Sequence, residues 1–410
     1  MYSNEIQERK LNSIKATKNL YASIFIAMML SVILIVFFIL YMDSISINIT
    51  LLILAFSILY IPLFFIKDLL HPFFLYSLIQ SLILLHFTFK IVDGEGIRYA
   101  PLLLGEEKNF FLQYSISLFI VWHLCFYLGY YFSTKVKSNF IRRKNALEVN
   151  NPATIGFVLF GVGVLGFVFT IYLNGGLSAT IAAMVNRVET YQGLGYLIKI
   201  VGLCGIGSIF LLFAGYKKTS FCFIVLSFLM LALFGGRGNA LFGIFLPYII
   251  VYHYLYKNIR LFKLGLFLIF GLLFTFIWGL LRSTGELVVS NDGFSETLKE
   301  VARQTGVADT IPSLVSKLYY GQLEFLGGQP LINIFFAPIP RGLWENKPRI
   351  DETGIVGQSI MGQDSWGLPP GPYGWAYFNF SWIGLIIIAF ITGIIIYQVY
   401  KKYILLRKKR

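Results

Sequence analysis

The sequence predicts an all-α fold: a polytopic transmembrane helical bundle of about ten spans, with a large extracytoplasmic loop containing short amphipathic helices. Three observations predict it. Hydrophobic residues make up 57% of the 410 residues and charged residues only 13%, about half the charged share of an ordinary soluble domain. Apolar runs of about 20 residues, enough to cross a hydrocarbon core of roughly 30 Å, recur from Tyr21 to Tyr400. Lysine and arginine are dense in every second connection, as the positive-inside rule requires.

The runs place spans at 21–42, 46–66, 69–91, 110–133, 153–173, 194–215, 219–236, 239–256, 264–281 and 382–400. Lipid leaves no solvent for stray backbone groups, so runs of this length are helices. The first 20 residues are polar and lead into a full span without a small-residue cleavage pattern. That reads as an uncleaved first helix. Arg9, Lys10, Lys15, Lys18, Lys67, the group from Lys135 to Lys144, Lys217, Lys218, the group from Lys257 to Lys263, and the tail from Lys401 to Arg410 all fall on one side. That side is the cytoplasm, so both termini are expected there. Topology and anionic headgroups explain the net charge of +14; membrane lipids are expected partners and nucleic acid is not.

The chain divides into residues 1–281 (nine spans and short connections), 282–381 (the extracytoplasmic loop) and 382–410 (the last span and a basic cytoplasmic tail). The other outward connections are a turn near Asp43–Ile45, the segments Val92–Asn109 and Asn174–Gly193, and the tight turn Gly235–Gly238. Within the large loop, Leu298, Val301 and Ala302, then Leu314, Val315, Leu318 and Leu323, recur at helical spacing. They predict two amphipathic helices over Ser295–Phe325 lying near the membrane surface. After Gly327 the composition shifts to proline, glycine and aromatics, which reads as ordered loop structure.

Motifs for metals and cofactors are missing. The four histidines (His71, His86, His123, His253) are not paired at ligand spacing and none lies in an outward loop. No metal or other cofactor is therefore expected. A Ser-His-Asp hydrolase would need an outward histidine, and only His86, about a turn and a half inside the third span, comes near. The three cysteines all lie in apolar runs, where they read as small hydrophobes. With neither a phosphate-binding loop nor a dinucleotide fingerprint, an ATP-driven pump is not expected.

Arginines carry the chemistry. Arg237 sits in F-G-G-R-G-N between two short spans, at or below the outer interface, where an unpartnered charge is costly. Its flanking glycines suit an anion-binding nest of N–H groups; the competing reading is a snorkelling arginine that caps a turn. Arg341 lies in P-I-P-R-G-L-W-E-N-K-P, where two prolines restrict the backbone, or else it forms a loop ion pair with Glu345. Arg282 follows the ninth span and Arg187 stands in the third outward connection; each could equally anchor a lipid headgroup. Converging guanidinium forks match a pyrophosphate bidentately. Trp344, Tyr373 and Trp375, with Lys347 in the Arg341 motif, are candidate substrate-binding residues. Aromatic rings pack on the C–H faces of sugars, although an interfacial aromatic belt would explain them as well. Candidate bases are Glu286, Asp292, Glu324, Glu345, Asp351, Glu352 and Asp364.

With these residues in place, the chain resembles bacterial oligosaccharide repeat-unit polymerases of the Wzy type. The resemblance rests on span number, the arginine-bearing third outward connection, the late large loop, and three local motifs. These are G-G-R-G (Gly235–Gly238), P-I-P-R-G-L-W-E-N-K-P (Pro338–Pro348) and G-P-Y-G-W-A-Y-F-N-F-S-W-I-G (Gly371–Gly384). The resemblance implies a membrane glycosyltransferase of the bacterial cytoplasmic (inner) membrane, acting on undecaprenyl pyrophosphate-linked oligosaccharides at the outer face of that membrane. Arg237, Arg341 and Arg282 would be catalytic and Arg187 would bind substrate. A flippase and a chain-length regulator are implied partners. The paired arginine–glycine spacing described for this family is matched here only by Arg282 and Gly293. Rival readings are an O-antigen ligase, which is expected to carry an outward histidine, and a transporter of lipid-linked oligosaccharides, which favours pseudo-symmetric halves and broken helices. A purely structural membrane subunit would not need Arg237.

Overall fold

The structure is a computed structural model, and it describes residues 44–60, 62, 71–135, 150–182, 195–234, 239–256, 299, 302–303, 305–336, 339, 344, 346–349, 351–362 and 367–408. All regular structure among the described residues is helical. The helices are α1 (Ser44–Tyr60), α2 (Pro72–Val92), α3 (Gly105–Lys135), α4 (Pro152–Leu173), α5 (Leu177–Ala182), α6 (Gly195–Val201), α7 (Leu203–Phe213), α8 (Lys217–Leu233), α9 (Leu246–Tyr256), α10 (Val307–Tyr319), α11 (Gln329–Asn333), α12 (Glu352–Met361) and α13 (Gly371–Lys408). A π-helical stretch, Asn239–Phe245, leads into α9.

Five stretches among these are long and apolar enough to cross a membrane: α2, α3, α4, α6 with α7, and α13 up to Lys402. Two shorter apolar helices, Ile47–Tyr60 and Gly243–Tyr256, match the predicted spans at 46–66 and 239–256. The span predicted at 219–236 appears as α8. The spans predicted at 21–42 and 264–281 lie outside the described residues.

The chain forms two compact units. One comprises residues 1–137, 292–338 and 348–400, and the other 138–291, 339–347 and 401–410. In the second unit α4 packs along α6 and α7 through small residues. A side chain at Gly163 would strike Cys204, and one at Gly207 would come within 2.6 Å of the Gly156 carbonyl. In lipid, where apolar burial drives little association, such close backbone approach is a main source of packing energy. Phe160, Val201, Cys204, Ile224, Phe228 and Leu231 fill the core behind it.

The first unit holds the buried charged side chains His86, Lys90 and Asp309. Its α2 starts at Pro72, whose missing N–H costs nothing at a helix start; His71 Nδ1 accepts from the Phe73 amide at 3.1 Å. Along α3, Phe111, Ile116, Phe119, Trp122 and Phe126 bury the face turned to α1, α2 and α13.

Helix α10 differs from the surface helix expected over Ser295–Phe325. Every residue from Val307 to Ser316 is buried, so the helix lies inside the unit and not on it. Val307, Ala308, Ile311 and Val315 join the core with Phe119, Tyr373 and Ala376. Its polar side is mostly satisfied by its own backbone. Thr310 donates to Gly306 O (2.9 Å), Ser313 to Asp309 O (2.8 Å) and Ser316 to Ser313 O (2.9 Å). A polar face closed in this way does not need water, which is why amphipathic spacing alone misplaced it.

The stretch after Gly327, expected as loop, also contains helix: α11, α12 and the first turns of α13. Helix α13 begins well before the predicted span at 382, yet its φ/ψ leave the helical region at Phe380 (φ −140°, ψ 20°) and Ser381 (φ 58°, ψ −154°). The predicted boundary is therefore a real break. Ahead of it, Tyr373 packs on Phe119 and Tyr377 on Tyr114; beyond it, Trp382 returns to Tyr114 and Tyr397 reaches Tyr130. Residues 371–379 thus run along α3 from the level of Phe119 toward its N-terminal end, and the rest of α13 runs back beside the same helix. Amides of Leu326 and Gly327 cover the break by donating to Phe378 O (3.0 Å) and Asn379 O (2.9 Å). Gly328, at φ +79°, leaves room for the Phe380 ring. Ser381 occupies a region that is essentially reserved for glycine, a cost of about 1–3 kcal/mol. Ser381→Gly is expected to raise the melting temperature of the purified protein and Ser381→Val to lower it.

Candidate functional site

The four arginines singled out from sequence, Arg187, Arg237, Arg282 and Arg341, lie outside the described residues, as do Glu286, Asp292, Glu345 and Asp364. The other candidates fall in two places. In the second unit, Lys347 Nζ donates to Ile339 O at 2.7 Å and its amide to Trp344 O at 3.1 Å, so the two residues share one turn. In the first unit, Tyr373 is fully buried, its ring edge-on to Phe119 at 5.5 Å, which closes it to a sugar in this conformation. Trp375 packs against the small core of Leu314, Val356, Ile360, Leu368 and Phe378. Among the candidate bases, Asp351 serves as the N-cap of α12 and accepts from the Gly354 amide at 2.8 Å.

A charged cluster that sequence reading did not assemble joins α2 to α10. His86 and Lys90, one turn apart on α2, both face Asp309 in the first turn of α10. Lys90 Nζ lies 2.8 Å from Asp309 Oδ1, and His86 Nε2 lies 3.4 Å from Asp309 Oδ2. The Arg98 amide donates to the same Oδ1 at 2.7 Å. Lys90 also donates to Gly96 O at 2.7 Å and sits 3.6 Å from Glu95, which in turn pairs with Arg303. At the rim, Lys299 pairs with Asp93 at 2.7 Å. His86 is wholly buried, and Lys90 and Asp309 are each about 5% exposed.

Electrostatics keep the carboxylates ionised. Burial pushes the Asp309 carboxyl upward, but the bonds from His86, Lys90 and the Arg98 amide outweigh it and leave it below the usual carboxylate range. Glu95 behaves alike: burial raises it, and Arg303, Lys90 and His86 together hold it low. The cluster pairs its charges and encloses them, so it holds structure in place and offers no free acid or base to a substrate. Its bonds, with Lys317 Nζ donating to Ile360 O at 2.6 Å, tie α10 to α2 on one side and to α12 on the other.

Part of this was signalled in the sequence. A lysine and a histidine at i and i+4 within a span demand a partner, and His86 stood out as the histidine nearest the outer face. The partner lies more than 200 residues away in sequence, and no local pattern points to it. Among the described residues no group of three His, Cys, Asp or Glu is placed to hold a metal ion. Searched against protein-family models, curated proteins and solved structures, the chain finds no match.

Proposed function

We propose that this chain is a polysaccharide polymerase of the bacterial cytoplasmic membrane, with about ten spans, cytoplasmic termini and a large outward loop. It would transfer a growing glycan from undecaprenyl pyrophosphate to the non-reducing end of an incoming lipid-linked repeat unit. One observation supports this reading above the rest. Helix α10 and residues 371–379, both drawn from the segment between the ninth and last predicted spans, fold back among α2, α3 and α13 as part of one core. In the polymerase reading, a loop built into the bundle would carry its side chains to the depth where a lipid pyrophosphate meets its first sugar.

The chemistry needs no nucleotide. An acceptor hydroxyl oxygen attacks the anomeric carbon of the donor glycan, the bond from that carbon to pyrophosphate breaks, and the hydroxyl proton passes to a carboxylate. Undecaprenyl pyrophosphate leaves with the electron pair, and Arg237, Arg341 and Arg282 would stabilise its developing charge, while Arg187, Trp344, Lys347 and Trp375 would hold the substrates. Arg237→Ala and Arg341→Ala are each expected to cut chain lengthening by about 10²-fold or more, the usual cost of losing one such donor. Purified protein supplied with defined lipid-linked repeat units would show this as single units where the unmodified chain makes ladders. Normal ladders from both variants would remove these arginines from the site.

A second reading is a transporter of lipid-linked oligosaccharides without catalysis. The break at Phe380–Ser381 favours it, because interrupted helices are common at transport sites. The same assay separates the two: a transporter moves labelled lipid-linked units across a vesicle bilayer and yields no ladder. An O-antigen ligase would lengthen nothing until given a lipid A core acceptor.

A further inference from the structure

In the first unit, α2, α3 and the first turns of α13 enclose side chains that each keep a polar atom without a hydrogen-bond partner. Among the described residues, His123 Nε2, Tyr127 OH, Tyr373 OH and Gln80 Oε1 are buried without a hydrogen-bond partner. All four side chains are under 6% exposed. Their placement is shared. The rings of Tyr76 and His123 lie 5.3 Å apart, His123 and Tyr127 lie 6.4 Å apart on successive turns of α3, and Phe119 touches both His123 (3.9 Å) and Tyr373 (5.5 Å). Gln80 stands one turn from Tyr76 on α2.

The unmade bonds are complementary in kind. His123 Nδ1 lies 2.7 Å from the Phe119 carbonyl, an acceptor only, so Nδ1 carries the proton and Nε2 presents a lone pair. Gln80 Oε1 likewise accepts. Tyr76 accepts the indole N–H of Trp122 at 2.8 Å, which leaves its own O–H to donate. Tyr373 brings a further hydroxyl, and so does Tyr127, whose other neighbour is the Ser77 hydroxyl; Ser77 donates its own proton to Leu59 O at 3.0 Å and keeps lone pairs that can accept. Donors and acceptors thus face one interior without reaching each other. Water accepts from a phenol and donates to an imidazole or amide oxygen, and buried polar groups left over in a packed interior are what such water binds. Apolar side chains at these positions would have served the packing equally well without any partner.

We propose that Tyr76, Gln80, His123, Tyr127 and Tyr373 form a buried hydration site inside the helical bundle that holds ordered water. The site is separate from the charged cluster, does not depend on the polymerase reading, and gives residues 371–379 a polar contact at depth through Tyr373.

Radiolytic hydroxyl-radical labelling of the full-length protein in nanodiscs tests it, because radicals born from bound water oxidise side chains that bulk solvent does not reach. Tyr127 and Tyr373 are expected to be oxidised faster than Tyr254, a tyrosine only 1% exposed in the other unit, and to approach exposed Tyr172. Thermal unfolding of Tyr127→Phe and Tyr373→Phe gives a second, independent sign. An unpaired dry phenol is a burden, so its removal raises the melting temperature; a phenol that binds water loses a bond, so its removal lowers it. Lower values are expected for both variants. Labelling of both tyrosines as slow as that of Tyr254, or a higher melting temperature in both variants, overturns the proposal.

Discussion

Asp309→Ala is expected to destabilise the first unit by about 3–5 kcal/mol, the usual cost of removing one partner from a buried ion pair. The substitution leaves Lys90 Nζ, enclosed by the same helices, without the carboxylate 2.8 Å away, and it releases the Arg98 amide from its acceptor. Most of the loss is the cost of a buried ammonium left with only the Gly96 carbonyl at 2.7 Å and Glu95 at 3.6 Å, and not the worth of the pair. Lys90→Met combined with Asp309→Leu is therefore expected to recover much of it, which a simple loss of packing would not allow. Thermal unfolding in detergent, followed through the tryptophans, measures both. If the double variant is no more stable than Asp309→Ala, the charge account is wrong.

The same cluster sets an acid limit. Asp309 titrates below its ordinary value of 3.8 in the folded chain. A depressed carboxyl contributes stability that is complete above the unfolded value and is lost as pH falls through the folded one. Stability from this cluster is thus expected to hold from neutrality to about pH 4 and to fall below it, with Glu95 adding to the same slope from its ordinary 4.5 downward. Asp309→Asn should flatten that part of the profile.

How much of this was legible in the sequence differs by element. Long apolar runs announce themselves because lipid imposes length and composition locally; the predicted 153–173 and the observed Pro152–Leu173 differ by a residue. The break at Phe380–Ser381 falls beside the predicted start of the last span, where the chemistry of G-L-P-P-G-P-Y-G-W has given way to an apolar run. Helix α10 was read as a helix and put in the wrong environment. Its serines and threonines look like a wet face in sequence, and only the structure shows them bonding to their own turns. Asp309 was passed over among the carboxylates because its importance comes from His86 and Lys90, residues no window around it contains. Arginine reasoning drew on charge cost and motif, and it concerns positions outside the described residues.

Gly393→Ala is expected to separate α13 from α3. The two helices cross at a reciprocal pair of glycines: a side chain at Gly129 would fall on the Phe390 carbonyl, and one at Gly393 would fall on the Phe126 carbonyl and come within 2.7 Å of the Tyr130 amide. The obstacle in both cases is backbone inside a helix, which cannot rotate away as a side chain can. Overpacking of an ordinary core costs about 1–3 kcal/mol; here relief requires moving whole helices, so the effect should reach or exceed the top of that range. It would also break contacts further along the seam, among them Gln398 Nε2 to Ser133 Oγ at 2.8 Å and the edge-on packing of Tyr400 against His71 at 4.4 Å. Cysteines at Ser133 and Gln398, in a background without Cys125, Cys204 and Cys222, should be bridged readily by a short bifunctional thiol reagent in the otherwise unmodified chain and poorly once Gly393→Ala is added. The contrast that isolates packing from helix propensity is Gly161→Ala. That position opens onto free space, so the same methyl group should raise stability by about 0.5–1 kcal/mol through propensity alone. Equal behaviour at the two sites would mean that the α3–α13 crossing is looser than the glycine pair requires.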